Sequence, residues 1–265
     1  MNRRITILGC GSSGGVPRVG QGWGACDPNN PKNRRRRCAM LLEQTGTDGG
    51  TTQILVDMGP DLREQLLDHN VSHLDAILLT HQHADHTHGM DDIRPLVIMH
   101  HKRIDLHMDA ATSADVRESF GYIFATPPGS QYPPLLTEHR IIAGEPVDIR
   151  GAGGVLKTLP FRLEHGEIDA LGFRFGNFAY SPDVNAIPAE SVGFLENLDL
   201  WIVDALRYTP HPSHFCLQET LDWIKKLKPK RAILTNLHTD LDFERLRSEL
   251  PPHIEPAYDG MQIVI

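Results

Sequence analysis

The sequence has no uninterrupted apolar run of about 18 residues, the length a helix needs to enter a bilayer as a span. Its first strand-like run, Ile5 to Leu8, is too short for the apolar core of a secretory leader. Neither a membrane span nor export is expected, and the expected location is cytoplasmic. Cysteine is scarce: Cys10, Cys26, Cys38 and Cys216 stand far apart with no C-x-x-C pair, which fits a reducing compartment. Excess positive charge is missing as well. With a formal net charge of −8, wholesale binding of a polyanion is not expected, and no stable nucleic-acid partner is. Repeats and long linkers are absent, so residues 1–265 are expected to form one domain.

What is present is histidine, 15 residues, many in short clusters or just after strand-like runs, a pattern that points to metal. Such runs recur along the chain: Ile5 to Leu8, Ala39 to Glu43, Gln53 to Asp57, Ala76 to Thr80, Arg103 to Met108, Arg140 to Ile149, Leu156 to Leu163, Phe173 to Tyr180, Leu200 to Val203, Ala232 to Thr235 and Gln262 to Ile265. A few amphipathic helices lie between them, with Leu217, Leu221, Ile224 and Leu227 on one face and Leu62 and Leu66 on another. Strands arriving in groups, with helices interspersed irregularly, argue for packed sheets with helices outside. The fold expected is an α+β, four-layer αββα sandwich. Thr126 to Pro134 must be a loop, since its four prolines forbid regular structure, and it is a candidate to border the site.

The run Ala76 to Thr80 ends in His81-Gln82-His83-Ala84-Asp85-His86. Residues two apart in an extended chain point the same way, and a loop leaving a strand end lets several ligands converge from a short stretch. On this reading His81 and His83 share one ion while Asp85 and His86 reach a second. Imidazole suits zinc, iron and manganese, and the carboxylate shifts the preference toward harder ions without excluding zinc. Further ligands must come from elsewhere. His165, Asp183 and His238 each follow a strand-like run in the same way.

In this order the sequence resembles the metallo-β-lactamase superfamily, whose pattern T-H-x-H-x-D-H, then H, then D, then H is met by Thr80 to His86, His165, Asp183 and His238. The resemblance spans nearly the whole chain. It implies His81, His83 and His165 on one metal, Asp85, His86 and His238 on the other, and Asp183 bridging both. Asp57, closing the strand Ile54-Leu55-Val56, matches the superfamily's first acidic motif, which orients the metal loop from behind the ligands. The bridging Asp usually follows Gly; here it follows Pro182.

His211-Pro212-Ser213-His214-Phe215 resembles the S-H-x motif of the phosphodiesterase branch, which includes tRNase Z and the PhnP-like phosphodiesterases. Gly9-Cys10-Gly11-Ser12-Ser13-Gly14-Gly15-Val16-Pro17 and Asp259-Gly260-Met261 resemble the two ends of PhnP-like proteins. The resemblance implies a small phosphodiester or nucleotide substrate, cyclic forms included, cleaved with two divalent ions, zinc or manganese, with iron also accepted by this ligand set. Asp85 would hold or accept the proton of the attacking water and His214 would donate one to the departing alkoxide. PhnP-like proteins also carry a cysteine cluster for a structural zinc; Gly20 to Asp27 offers only Cys26, so none is expected here. The stretch from Thr87 to Leu135 is the candidate for a substrate-specific insertion. The sequence is silent on assembly, although relatives of this kind often form homodimers.

Gly9-x-Gly11-x-x-Gly14 fits a dinucleotide fingerprint, but the glycines and proline that follow forbid the helix whose N-terminus would hold a pyrophosphate. Arg34 to Arg37 read first as a solvated face, or as a run split between two faces if strand-like. No role emerges for His73 or His88. The rival readings are a thioesterase, a lactamase or an RNA 3′-end endonuclease with the same metals, and a nucleic-acid-binding scaffold with structural ones.

Overall fold

The computed structural model describes residues 2–265. The chain first lays down β1 (Asn2–Gly9), β2 (Ala39–Thr45), β3 (Thr51–Val56), α1 (Leu62–Asp68), β4 (Ala76–Leu78), α2 (Ala84–Thr87), α3 (Arg94–His100), β5 (Ile104–Met108), α4 (Ala110–Phe120) and β6 (Leu136–Arg140). It then builds a second sheet from β7 (Val147–Gly151), β8 (Gly154–His165), β9 (Ile168–Phe175), β10 (Phe178–Ser181), β11 (Leu200–Asp204), β12 (Arg231–Thr235) and β13 (Ile254–Pro256), with α5 (Ala189–Val192), α6 (Leu217–Leu227) and α7 (Phe243–Glu249) between them. β14 (Met261–Val264) returns to the first sheet beside β1.

Each sheet has seven strands, ordered β14-β1-β2-β3-β4-β5-β6 and β13-β12-β11-β10-β9-β8-β7. In both, one half is antiparallel and the other parallel, with β3 to β6 and β10 to β13 the parallel halves. Most of these strands are apolar on both faces. Ile54 and Val56 of β3 point into the layer between the sheets and Leu55 points to the outer helices; Leu200 and Ile202 of β11 do the first, Trp201 and Val203 the second. Three apolar layers result, one between the sheets, one beneath α1, α3 and α4, and one beneath α6 and α7. This is the expected αββα sandwich, and burial on both faces explains why the strands read as continuous apolar runs rather than alternating ones.

Three expectations need correction. Arg140 to Ile149 is not one strand: Gly144, at φ 87°, and Pro146 break it into the end of β6, a turn, and β7. Phe173 to Tyr180 is a hairpin, with Gly176 at φ 70° in a two-residue turn that pairs Phe175 with Phe178. The stretch from Thr87 to Leu135 is no insertion either. It supplies β5, which pairs with β4 and β6 inside the first sheet, together with α3 and α4 that cover that sheet. Thr126 to Pro134 is the loop its prolines require, and its Tyr132 ring faces Arg94 of α3 at 5.9 Å.

Candidate metal centre

The parallel strands of both sheets end on one side of the molecule, and there the polar groups begin. Thr80 and His81 follow β4, Asp57 follows β3, His165 closes β8, Asp183 follows β10, Asp204 closes β11 and Asn236 follows β12. The ends of parallel strands are where a sheet's backbone opens and side chains can converge on a ligand.

After β4 the chain bends at Thr80 and Gln82, is non-helical at His83 and then winds into α2, so Asp85 and His86 lie on its first turn. A second segment clamps it: Met58 N–H donates to His86 O at 2.7 Å and Gly89 N–H to Met58 O at 2.8 Å. Gly59 permits this, because a Cβ there would sit 2.0 Å from Asp85 O. Asp57 takes the left-handed conformation, φ 67°, which is strained for a residue with a side chain and is held by its bonds. Its Oδ1 accepts from Thr80 N–H at 2.9 Å and Thr80 Oγ1 at 3.0 Å, and its Oδ2 lies 2.7 Å from His86 Nδ1. With Nδ1 so engaged, His86 presents Nε2 to the centre, 3.4 Å from Asp85 Oδ2 and 3.3 Å from Asp183 Oδ2.

His165 is fixed in the same manner. Its Nδ1–H donates to Ser213 O at 2.6 Å, which leaves Nε2 a bare acceptor, 3.2 Å from His83 Nδ1. His81 Nε2 lies 3.0 Å from the same His83 nitrogen. Burial holds the His81 and His165 imidazoles below the ordinary histidine range, hence neutral, the form that ligates. Asp183 stands between two groups of donors. Its Oδ1 accepts from Asn236 Nδ2 at 3.1 Å and lies 4.0 Å from His165 Nε2, while its buried Oδ2 has no hydrogen-bond partner and faces His86.

Within 4.8 Å of one another lie donor atoms of His81, His83 and His165; of His81, His86 and Asp183; and of His165, Asp183 and His214. Three imidazole nitrogens crowded together with one proton already committed elsewhere, and a buried carboxylate oxygen with no donor, are poorly satisfied by one another. Divalent cations supply what such a donor set lacks. The residues fit the metal that the fold implies.

Two candidates, Asp85 and His238, fall outside the cluster formed by those three groups; Asp85 Oδ2 still lies 3.4 Å from His86 Nε2, whereas His238 is paired elsewhere. Its Nε2 lies 2.6 Å from Arg18 Nη1 and its Nδ1 3.3 Å from Asp240 Oδ1. His214 does join it, although the sequence reading gave it no ligand role. Its Nδ1 donates to Asp204 Oδ2 at 2.7 Å. Burial alone would lower the His214 pKa, but the Asp204 carboxylate pushes it up to about 9. Asp204 itself is pushed up to about 7 by its burial. Asp204 is the residue that sequence reasoning missed, and the signal was available. It closes the run Leu200-Trp201-Ile202-Val203 as Asp57 closes Ile54-Leu55-Val56.

The arginine run also differs from a solvated face. Arg35 is 2% exposed and donates to His238 O at 3.2 Å, Leu241 O at 2.7 Å and Asn33 Oδ1 at 3.3 Å. Arg34 faces the Trp23 ring, Arg36 pairs with Asp68 and Arg37 with Asp61. Gly9 and Gly11 are small so that this segment can pass: a Cβ on Gly9 would lie 2.0 Å from Arg37 O and one on Gly11 2.9 Å from Arg35 Cβ. Cys26 Sγ donates to Thr239 O at 3.4 Å. His73 and His88 take no place among the converging donors; His88 packs edge-on against Phe120.

Residues 52–236 match the model of the beta-lactamase superfamily domain. The chain is similar to a solved structure described as a new diphosphatase from the PhnP family, with 35% identity, a TM-score of 0.88, and coverage of 100% of this chain and 98% of that one. Human tRNase Z, short form, is similar in fold at 17% identity and a TM-score of 0.62, covering 98% of each chain. A curated protein of Porphyromonas gingivalis (strain ATCC BAA-308 / W83), named octanoyltransferase, is 34% identical over 267 residues, covering 99% of this chain and 51% of its own. The chain thus spans about half the length of that curated relative.

Proposed function

This chain belongs to the metallo-β-lactamase superfamily and within it to the PhnP family, and from that premise we propose that it is a metal-dependent phosphodiesterase acting on a small nucleotide or ribose phosphodiester, cyclic forms included. Its standing as a hydrolase of that fold follows from the family, and the phosphodiester is the step beyond it. The observation that carries it is that two donor groups, one with His81 and His86 and one with His165 and His214, share Asp183, and that His214 is held there by Asp204.

His81, His83 and His165 would hold one divalent ion, zinc, manganese or iron, and Asp85, His86 and His238 a second, with Asp183 between them. For His238 to take that role its Nε2 would have to exchange Arg18 for the ion. When bound, such ions make a nucleophile available at neutral pH and offset negative charge on phosphoryl oxygens. Asp85 holds the proton of the attacking water. The short bond to Asp204 fixes the His214 tautomer, so Nε2 is the atom that gives a proton to a departing alkoxide. Asp204 positions His214 as Asp57 positions His86, each a buried carboxylate behind a working imidazole.

The octanoyltransferase name belongs to a protein about twice as long as the matched part. Acyl transfer through a thiol gains no support in this chain, since all four cysteines are buried and burial pushes the Cys10 and Cys38 thiols well up. Parallel assays of bis-4-nitrophenyl phosphate, a glutathione thioester and nitrocefin test the reading. Metal-dependent turnover of the phosphodiester is expected; turnover of the thioester or the lactam alone would overturn it.

A further inference from the structure

Pro182 stands before Asp183 where the family pattern usually has glycine, and its carbonyl is taken up by an amide. Asn236, 2% exposed just past the end of β12, donates from Nδ2 to Pro182 O at 2.9 Å and to Asp183 Oδ1 at 3.1 Å. An amide nitrogen has two protons, and these two bonds use both. The same nitrogen lies 3.2 Å from His214 Nδ1, but that contact is not a hydrogen bond, because the proton on Nδ1 goes to Asp204 Oδ2 at 2.7 Å. The amide is therefore wedged between the Asp183 carboxylate and the His214 ring.

The wedge matters because the His214 Nδ1–H has two carboxylates within reach. Asp204 Oδ2 holds it at 2.7 Å, while Asp183 Oδ1 lies 3.8 Å away. A modest turn of the ring would carry the proton to Asp183 and draw His214 off the acid that orients it. Asp183 Oδ1 does not invite that turn, since it already accepts from Asn236. The residue type matches the task. Asn236 has φ 62°, a left-handed conformation that glycine, asparagine and aspartate tolerate best. Of these, only asparagine offers two N–H donors; aspartate would set a second negative charge against Asp183, and glycine would leave Asp183 Oδ1 open. The backbone is pinned on either side, with Ala205 N–H donating to Thr235 O at 3.0 Å and Leu237 N–H to Cys10 O at 2.8 Å. Pro182 completes the arrangement, because its ring restricts the backbone that carries the accepting carbonyl.

We infer that Asn236 is a positioning residue for the reaction: its amide, anchored on Pro182 O, occupies Asp183 Oδ1 and so keeps the His214 Nδ1–H on Asp204. The carboxylate shared by the donor groups and the histidine that protonates the leaving group are thereby held apart, each with its own partner. Loss of the amide would let the imidazole turn toward Asp183 and carry Nε2 away from the departing oxygen. The inference rests on the phosphodiesterase reading and adds to it a residue that acts only through its neighbours.

Asn236→Gly tests it, because glycine keeps the left-handed backbone and removes only the amide. In a crystal structure of this variant His214 Nδ1 should lie within hydrogen-bond distance of Asp183 Oδ1; a ring still bonded to Asp204 alone would overturn the inference. With metal content checked, kcat/KM should fall about 10- to 100-fold on a 2′,3′-cyclic nucleotide, the size usual for a residue behind a working group, and far less on bis-4-nitrophenyl phosphate. Adding His214→Ala should then cost less on the cyclic nucleotide than it does in the wild-type background, because the two changes act on one proton donor. Full additivity, or equal losses on the two esters, would reduce Asn236 to a structural support and overturn the inference. Asn236→Asp keeps the size and loses both donors, so it should show the same selective loss on the cyclic ester. Wild-type behaviour in that variant would show that shape rather than the amide matters, with the same consequence. Should the wild type turn over no phosphodiester, the parent reading fails, and the position of His214 in the variant's crystal structure still decides this contact.

Discussion

Asp204 Oδ2 and His214 Nδ1 lie 2.7 Å apart, the carboxylate fully buried at the end of β11 and the imidazole at the edge of the metal centre. The same pairing recurs between Asp57 and His86, also at 2.7 Å, at the end of β3. Each sheet thus contributes one buried acid from a parallel strand end, and each acid sets which nitrogen of a histidine faces the site.

For His214 the consequence is a dependence on the leaving group. An unprotonated ribose alkoxide is very unstable, so His214→Ala should cost on the order of 10²- to 10⁴-fold on a 2′,3′-cyclic nucleotide. 4-Nitrophenolate needs little protonation, and the loss on bis-4-nitrophenyl phosphate should be far smaller. Equal losses on the two esters with metal retained would remove the general-acid role.

For Asp57 the consequence is metal affinity. Asp57→Ala frees the His86 ring to turn and strands two Thr80 donors in the core, so the affinity of the ion held by His86 should drop about 10- to 100-fold. Stability should fall too, by about 3 kcal/mol, as expected when one member of a buried charged network is removed. A metal titration that overlays the wild type would show that Asp57 does not orient the ligand.

The arginine run should divide by burial. Arg34→Ser and Arg36→Ser change stability by about 0.5 kcal/mol or less, as surface substitutions do. Arg35→Ser leaves the carbonyls of His238 and Leu241 without their donor and should cost about 2–4 kcal/mol. Urea melts of the three variants give the ranking, and an Arg35 variant as stable as the other two would contradict it.

A pH effect follows from His107, which stacks on His139 at 4.8 Å and whose burial lowers its pKa to about 4. In the unfolded chain it titrates near 6.5. Between these values the unfolded state binds a proton that the folded state refuses, so the stabilisation is full above about 6.5 and is lost as pH falls toward about 4. Replacing His107 by Phe should flatten the stability profile in that window relative to wild type. Parallel profiles for the two proteins from pH 4 to 6.5 would exclude the effect.

The hexapeptide was legible because its spacing is one that few other needs produce, and of the three strand-terminal candidates His165 and Asp183 come together with it while His238 faces Arg18. The layered fold was legible for a related reason: strands buried on both faces write themselves as unbroken apolar runs. Where two such runs meet across a tight turn, as at Gly176 and Asn177, apolar content alone does not reveal the break. Contacts between distant segments were hidden altogether. Nothing local announces that Arg35 turns inward to hold the His238 loop, or that Arg18 reaches His238 across 220 positions. Asp204 was the avoidable omission, one residue beyond a run already recognised.

The central claim is that Asp183 joins two cation sites. Elemental analysis of purified wild type and Asp183→Ala, each re-purified after loading with manganese or zinc, tests it most directly. Two ions per chain are expected in the wild type, and at most one in the variant, with turnover of bis-4-nitrophenyl phosphate lost alongside. Full metal content in Asp183→Ala would contradict the account.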